Sequence, residues 1–504
     1  MPTPLASQCR PKYLRPRALK GHGFSRAVSP IQNERGFSRR GMVFLDLSVP
    51  RPFHALVKWA GTHSPSLAPS GLAITPVPRP FQALLKRAGI LCTLALLLSS
   101  AHAQQPAPPG DAPTTAGPIA TDLSPALTRR DIAKALRRVG DWQLARLPDQ
   151  PQYDWTFAAL YTGMMAVPPD VAGDKYRTAL HSIGERLAWN PGPRVLHADD
   201  QAVSQMFLEQ YMLTHDTTRV PPVSTLGPAK DDRRVPPVPR TWGPGRDANR
   251  KVPPVSTLRP GSEADPTLAP TLSRMEAEIN TPDDPAKPLW WWCDALFMAP
   301  PVLADLASIT HDDKYWRFMD HQWHVTDNLL YDPREHLFSR DLTYLDKYEK
   351  NGRRLFWSRG NGWVMAGLVR ILDRMPANSP LRAKYVLRLQ QMAAAVAAVQ
   401  GKDGLWRPGL LDPDSYPLPE ISGSAFITYS LAYGVNHHLL PAAKYSPVIR
   451  KAWAGMLTHI YADGRLGCIQ PVGGAPAPLS ETSSYVYGVG AFLLAGSEIY
   501  STAH

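Results

Sequence analysis

From residue 125 onward, apolar residues recur three and four positions apart in long segments, without a convincing run of strand-like alternation. This spacing predicts amphipathic α-helices. Six of the segments open with polar, small or aromatic residues and then continue as an apolar helix. Their starts lie at Trp155, Asp200, Asp294, Asn361, Gly423 and Ser484. The pattern therefore predicts an all-α protein.

The spacing of these six starts predicts how the helices are arranged. Successive gaps are 45, 94, 67, 62 and 61 residues. The longest gap contains a Pro-dense stretch, 216–260, in which residues 219–226 nearly recur as 251–258. Because proline disrupts helices, this stretch reads as an insertion. A regular period with one outer and one inner helix predicts an (α/α)6 barrel of six helical hairpins over residues 123–504.

Such a barrel would gather the amino-terminal ends of its inner helices at one end. Positive helix ends and aromatic side chains would meet there and form a pocket suited to an anionic sugar. For any one of the six segments, plain core packing is the alternative explanation.

The first 122 residues differ in composition from the rest of the chain. Residues 1–80 are rich in Pro, Arg and Ser and suggest a disordered leader or an over-extended translation start. Residues 81–103 have the layout of a secretory signal peptide: basic Lys86 and Arg87, an apolar run, and an Ala-x-Ala site ending at Ala103. We expect export to the periplasm or the medium without stable membrane insertion, and a flexible linker over 104–122.

Charge and cysteine content exclude several function classes. The formal charge of +12 belongs to residues 1–103, which hold 14 Lys or Arg and 2 Asp or Glu. The remaining residues are neutral, so a nucleic-acid partner is not favoured. The four cysteines form no C-x-x-C pair, and the 15 histidines show no H-E-x-x-H spacing. The sequence predicts neither a metal nor another cofactor, and it leaves the oligomeric state open.

Asp294 follows three tryptophans and precedes an apolar helix. Burying an ionised carboxylate is costly unless it is paired, so such a group either finds partners or keeps its proton. A carboxyl that stays protonated near neutral pH can act as a general acid. The competing interpretation is that Asp294 caps its own helix.

A second group of candidate residues surrounds Arg359. Gly360 and Gly362 flank Asn361 and allow a close backbone approach, while the Arg359 guanidinium could bind a carboxylate through two nitrogens. Trp357 and Trp363 could stack on sugar rings; the alternative is a cation–π pair at the surface.

Two further segments carry polar candidates. Asp199 and Asp200 follow His197 at the second helix start; one could cap the helix while the other faces the pocket. His336 and Arg340 lie in a polar and aromatic segment that could equally be an ordinary loop.

Taken in order, these motifs resemble those of glycoside hydrolase family 105, the unsaturated rhamnogalacturonyl and glucuronyl hydrolases, which are close to family 88. The matching motifs are Tyr161-x-Gly163-Met164, His197-Ala198-Asp199-Asp200, Trp292-Cys293-Asp294-x-Leu296-Phe297-Met298-Ala299, Trp357-x-Arg359-Gly360-Asn361-Gly362-Trp363, Glu420-x-Ser422-Gly423-Ser424-Ala425 and Glu481-Thr482-Ser483.

The resemblance implies an enzyme that removes a Δ4,5-unsaturated uronic acid from oligosaccharides left by polysaccharide lyases, such as those that cut pectin. By that analogy Asp294 protonates C4 and helps deliver water to C5, while Asp200, or else Asp199, supplies the second carboxylate. Arg359 would hold the uronate.

The same analogy assigns the walls of the sugar site to aromatic residues: Trp357, Trp363, Tyr161 and Trp292. The family often has a histidine where this chain has Arg340, with His336 nearby, so the sugar beyond the uronate could differ. The alternatives are a sugar epimerase on the same barrel and a non-catalytic binder of acidic oligosaccharides.

Overall fold

A computed structural model describes residues 110–112, 114–215 and 265–504. The predictions for residues 1–80, 81–103 and 216–260 lie outside these described residues. Within them, helices dominate, and none is long and apolar enough to cross a membrane.

The helices alternate between an outer and an inner layer. In chain order they are α1 (Arg129–Leu144), α2 (Trp155–Ala166), α3 (Pro169–Ala172), α4 (Lys175–Arg186), α5 (Ala198–Gln201), α6 (Ser204–Thr214), α7 (Ala269–Ile279), α8 (Ala295–Met298), α9 (Pro300–Thr310), α10 (Asp313–Leu330), α11 (Ser358–Arg374), α12 (Arg382–Ala398), α13 (Ile421–Asn436), α14 (Ala442–Leu457) and α15 (Val486–Ser501). The helices α1, α4, α7, α10, α12 and α14 are the outer partners of the six hairpins.

The inner layer closes into a ring. Its members are α2, α5 with α6, α8 with α9, α11, α13 and α15; each contacts the next, and α15 contacts α2. The closing contact is tight, because a Cβ on Gly163 would lie 2.2 Å from the Gly490 carbonyl oxygen. Only glycine permits two helices to approach this closely. The prediction of an all-α barrel of six hairpins is confirmed.

Among the described residues, regular strands are confined to one short hairpin, β1 (Tyr331–Asp332) paired antiparallel with β2 (Leu337–Phe338). Two 3₁₀ turns, Leu342–Tyr344 and Pro413–Ser415, lie in the connections. The hairpin connects α10 to the segment that leads into α11, and it precedes Arg340.

The described part of the segment predicted as a flexible linker is attached to the barrel instead. Ala112 pairs with Ser484, and Ile119 forms a bridge with Tyr461. Asp111 accepts a hydrogen bond from the Val486 backbone N–H at 2.9 Å, at the start of α15. The linker prediction is therefore wrong for this part, because main-chain pairing and a cap fix it to the barrel.

Candidate active site

The site is built where the inner helices begin. Asp154 caps α2 by accepting from the Thr156 N–H, and Glu420 caps α13 by accepting from the N–H groups of Ser422 and Gly423. These bonds satisfy backbone donors that a helix start leaves unpaired.

Asp294 stands at the start of α8 but makes no side-chain capping bond. Its backbone is fixed by a neighbouring segment, because the Cys293 N–H donates to the Arg340 carbonyl at 2.8 Å and Trp292 bridges Asp341. The carboxyl accepts a hydrogen bond from the Cys293 thiol, with Sγ 3.2 Å from Oδ1. The capping interpretation is therefore not supported, and the carboxyl is left available for chemistry.

Burial raises the pKa of Asp294, which is the direction a general acid needs. The positive charges of Arg340 and Arg359 and the thiol hydrogen bond oppose this effect, while the charge of Asp341 adds to it. Loss of hydration outweighs the two cations because the carboxyl lies deep at the helix ends.

Asp199, rather than Asp200, shares the electrostatic environment of Asp294. Burial raises the pKa of Asp199 to about 7; Arg194 and Arg340 lower it, and the charge of Asp294 raises it. Its side chain is 19% exposed, against 2% for Asp200.

Asp200 is held by the preceding loop. Its Oδ2 accepts from the Arg194 backbone N–H at 2.6 Å, and its Oδ1 accepts from the Arg194 Nε at 2.9 Å. Both oxygens of Asp200 are therefore occupied by Arg194. Asp200, the first choice for the second carboxylate, is thus bonded to the loop, whereas Asp199 shares the environment of Asp294.

Arg359 is fully buried, and its outer nitrogens are already in use. One donates to the Gln470 carbonyl at 2.8 Å and the other to the Pro471 carbonyl at 2.9 Å. The guanidinium lies over the Trp357 ring at 4.4 Å, and the Trp357 Nε1 donates to the Gln470 side chain at 2.9 Å. The expected two-nitrogen grip on a uronate is therefore unavailable; Arg359 and Trp357 instead hold the 470–471 loop, and the Arg359 charge still reaches Asp294.

Two other predicted sugar contacts lie in the core. Trp363 is buried among Phe297, Phe426 and Trp155. Tyr161 has no exposed surface, and its hydroxyl has no hydrogen-bond partner among the described residues. Neither ring is open to a sugar, because both pack inside the walls of the barrel.

His336 also lies away from Asp294. It occupies the turn of the β1–β2 hairpin with φ of +57°, and its Nδ1 is 2.6 Å from the Tyr331 hydroxyl. The Tyr331 ring packs under Arg388 of outer helix α12. His336 thus shapes a turn and does not reach the site.

Arg340 is the predicted residue that best retains unused hydrogen-bonding capacity at the site. It pairs with Asp341 through one outer nitrogen, while its Nε is buried without a partner among the described residues. A Cβ on Gly474 would lie 3.3 Å from that Nε, so the small residue leaves space beside the guanidinium.

Trp291 is a site residue that the sequence reasoning missed. It is 43% exposed, and the Arg340 guanidinium carbon lies 5.2 Å from its ring centre. Trp290 and Trp292 are buried, and Trp292 packs against His197. The Trp291 and Trp292 rings lie 4.8 Å apart, so the exposed ring packs on its buried neighbour. No signal in the local sequence separates Trp291 from the two tryptophans beside it.

A buried carboxyl behind the site supports α5. Glu278 of α7 accepts a hydrogen bond from the Gln201 side chain, next to the two aspartates, and burial raises its pKa to about 7. No group of three metal-ligating side chains occurs among the described residues.

The raised pKa of Glu278 predicts a loss of stability with rising pH. Between the unfolded pKa near 4.5 and the folded value near 7, the folded state binds the proton more tightly. The unfolding free energy therefore falls as pH rises through this window. We expect Glu278→Gln to remove about 2 to 3 kcal/mol of the decrease between pH 5 and pH 8. Urea unfolding of the wild type and of Glu278→Gln at pH 5 and pH 8 measures the decrease in unfolding free energy. An equal decrease in the two proteins would contradict the prediction.

The family match and the curated relative are both glycoside hydrolases. Residues 274–503 match the family described as Glycosyl Hydrolase Family 88. An "Unsaturated 3S-rhamnoglycuronyl hydrolase" of Formosa agariphila is 37% identical over 391 residues, which are 74% of this chain and 91% of that protein.

Two solved structures have the same fold. The structure titled "Glycosyl hydrolase family 88 from Bacteroides vulgatus" aligns with a TM-score of 0.62 and 28% identity, covering 74% of this chain and 99% of that one. A protein described as a polysaccharide lyase aligns with a TM-score of 0.61 and 27% identity, covering 74% and 97%.

Proposed function

The chain belongs to the unsaturated uronyl hydrolases of glycoside hydrolase families 88 and 105, and from that premise we propose that it releases a Δ4,5-unsaturated glycuronyl residue from a 3-sulfated rhamnose. The observation that carries the proposal is the pair of half-buried carboxyls, Asp294 and Asp199, near Arg340, whose Nε has no partner among the described residues, and the exposed ring of Trp291. The relative from Formosa agariphila, with its 3S-rhamnoglycuronyl substrate, supports the choice of sugar.

The reaction is hydration of a vinyl ether. Asp294 gives its proton to C4, and the positive charge that forms is shared between C5 and the ring oxygen. Asp199 in its ionised form takes a proton from water as the water oxygen bonds to C5. The hemiketal then opens by breaking the C5–ring oxygen bond, and the resulting hemiacetal at C1 releases the rhamnose hydroxyl.

The two carboxyls suit these opposite tasks because they share one environment. Burial raises the pKa of both, and the charge of Asp294 raises the pKa of Asp199 further. Two coupled carboxyls favour one shared proton over none or two, which provides an acid and a base together.

The test is the ultraviolet absorbance of the unsaturated uronate on lyase-generated disaccharides. Loss of absorbance with release of free rhamnose 3-sulfate supports the proposal. A rise in absorbance on intact polymer would instead indicate a lyase, the activity named for one structural neighbour. Disaccharides from pectin and glycosaminoglycans serve as comparison substrates, and faster turnover of either would overturn the choice of sugar.

Arg340 is proposed to bind the sulfate of the rhamnose. Its guanidinium keeps an unpartnered Nε beside the exposed Trp291 ring, which could stack on the neighbouring sugar. Sulfate is recognised well by a planar guanidinium, as phosphate and carboxylate are.

We expect Arg340→Leu to lower kcat/KM on the sulfated disaccharide by about 10- to 100-fold, the cost of one charge-assisted contact. On the desulfated disaccharide kcat/KM should fall less, only by the part that follows from removing the Arg340 charge near Asp294 and Asp199. Arg388→Leu, which removes an arginine that packs on Tyr331 outside the site, is the control. Equal losses on both substrates would contradict sulfate binding by Arg340.

Export is a separate proposal, based on the signal-like residues 81–103. Amino-terminal sequencing of the protein from the periplasm or medium should find Gln104 first; an intact amino terminus in the cytoplasm would contradict export.

A further inference from the structure

The thiol of Cys293 lies against the carboxyl that is proposed to deliver the proton. Its Sγ is 3.2 Å from Asp294 Oδ1. Among the described residues, this is the one hydrogen bond that the Asp294 carboxyl accepts. Cys293 has no exposed surface, and its backbone is fixed by the Arg340 carbonyl. The thiol is therefore positioned by the fold rather than by chance rotation of a free side chain.

Gly360 leaves room for this contact. A Cβ at that position would lie 3.1 Å from the Cys293 Sγ, 3.5 Å from Asp294 Oδ1 and 3.0 Å from the Trp357 ring. A side chain there would crowd the thiol against the carboxyl. Glycine thus preserves the geometry of the pair at the first turn of α11.

In this hydrogen bond the Cys293 thiol is the donor and the Asp294 carboxyl is the acceptor. Burial raises the pKa of the Cys293 thiol well above its usual range, so it keeps its proton and acts as a donor. Asp294 Oδ1 is then an acceptor, and an oxygen that accepts a hydrogen bond is the poorer place for the acid's own proton.

We propose that Cys293 is a positioning residue, whose thiol occupies Oδ1 of Asp294 and so keeps the transferable proton on Oδ2. This inference rests on the proposed function for the role of Asp294. It adds a residue that selects which oxygen faces the double bond.

Removing the Cys293 thiol should raise the pKa of Asp294. The other groups that act on Asp294 are Arg340, Arg359 and Asp341, and Asp294 in turn acts on Asp199; all remain in place. Because the thiol hydrogen bond lowers the pKa of Asp294, its loss raises that pKa further. The acid then stays protonated to higher pH, so the alkaline limb of the kcat profile moves up.

The experiment compares Cys293→Ala with Cys293→Ser. Alanine removes the donor, and we expect kcat to fall about fivefold with the alkaline limb about half a pH unit higher, as suits one weak hydrogen bond. Serine has nearly the same small volume as alanine but keeps a donor. Serine should therefore restore kcat to within about twofold of the wild type and return the alkaline limb to its wild-type pH.

Cys468→Ala is the matched control. Cys468 is also a buried thiol, but it donates to the Pro419 carbonyl, and its charged neighbours are Glu420, Glu481, Arg407 and Asp403. Its loss should leave the pH profile unchanged. If Ala and Ser at position 293 behave alike, cavity formation explains the effect and the positioning role is wrong.

A second readout does not need substrate. Infrared difference spectra against Asp294→Asn follow the carboxyl C=O stretch of Asp294 through a pH titration. Cys293→Ala should shift its midpoint upward, and Cys293→Ser should not. An unchanged midpoint in Cys293→Ala overturns the inference even if the disaccharide assay fails, whereas a shift with no turnover of any disaccharide would count against the proposed function alone.

Discussion

Asp294→Asn is expected to lower kcat by about a thousandfold, the scale of a lost general acid. Asparagine is nearly isosteric and keeps an Oδ1 that can accept from the Cys293 thiol, so the shape of the site should survive. It carries no transferable proton, so C4 of the double bond cannot be protonated. KM should change by less than about threefold, because binding to the ground state is retained. The measurement is steady-state loss of absorbance on the unsaturated disaccharide.

Stability gives an internal control for this variant. Because burial penalises the ionised Asp294 carboxylate, a neutral amide should leave the melting temperature unchanged or higher. Asp305→Asn is the matched comparison. Asp305 is also buried in the inner layer, where it pairs with Arg374 at 2.7 Å. We expect it to lower the melting temperature but keep kcat. If Asp294→Asn keeps more than a tenth of the wild-type kcat, the acid lies elsewhere.

The barrel could be predicted from the sequence because it depends on periodicity, which every hairpin repeats. Each of the six predicted starts lies within a few residues of the start of an inner helix, and the inner ring closes as expected. Asp294 was identified for a similar reason, since a lone acid before an apolar helix is recognisable from local sequence alone.

The errors concern partners that are distant in sequence. Arg359 looked available for a uronate until carbonyls at 470 and 471, more than 100 residues away, proved to accept from it. Trp291 was missed because the local sequence does not distinguish three consecutive tryptophans, and only the packing of Trp290 and Trp292 in the fold leaves Trp291 exposed. Neither contact leaves a periodic signal, so only the fold reveals it.

The choice between Asp199 and Asp200 has the same origin, and it leads to a sharp prediction. Adjacent residues at a helix start point in different directions, and the sequence does not say which one meets a partner. Arg194, in the preceding loop, donates hydrogen bonds to the Asp200 carboxylate from both its backbone and its side chain. Asp199 is left with a weaker contact, 4.0 Å from the Arg194 guanidinium.

We therefore expect Asp199→Asn to lower kcat by about a hundredfold or more, because no ionised carboxylate remains to take a proton from water. Its melting temperature at pH 8 should be unchanged or higher, since a carboxylate with a pKa of about 7 is costly to keep ionised in a buried site.

Asp200→Asn should show the reverse pattern. Loss of its charge weakens three bonds to Arg194 and should cost about 1 to 3 kcal/mol of unfolding free energy, while kcat stays within about tenfold. Parallel melts and kinetics on the two variants separate the roles. A large loss of kcat in Asp200→Asn with wild-type kcat in Asp199→Asn would return the second carboxylate to position 200. The base would then have to act from a side chain whose two oxygens are already bonded, and Arg194 would have to release it before each turnover.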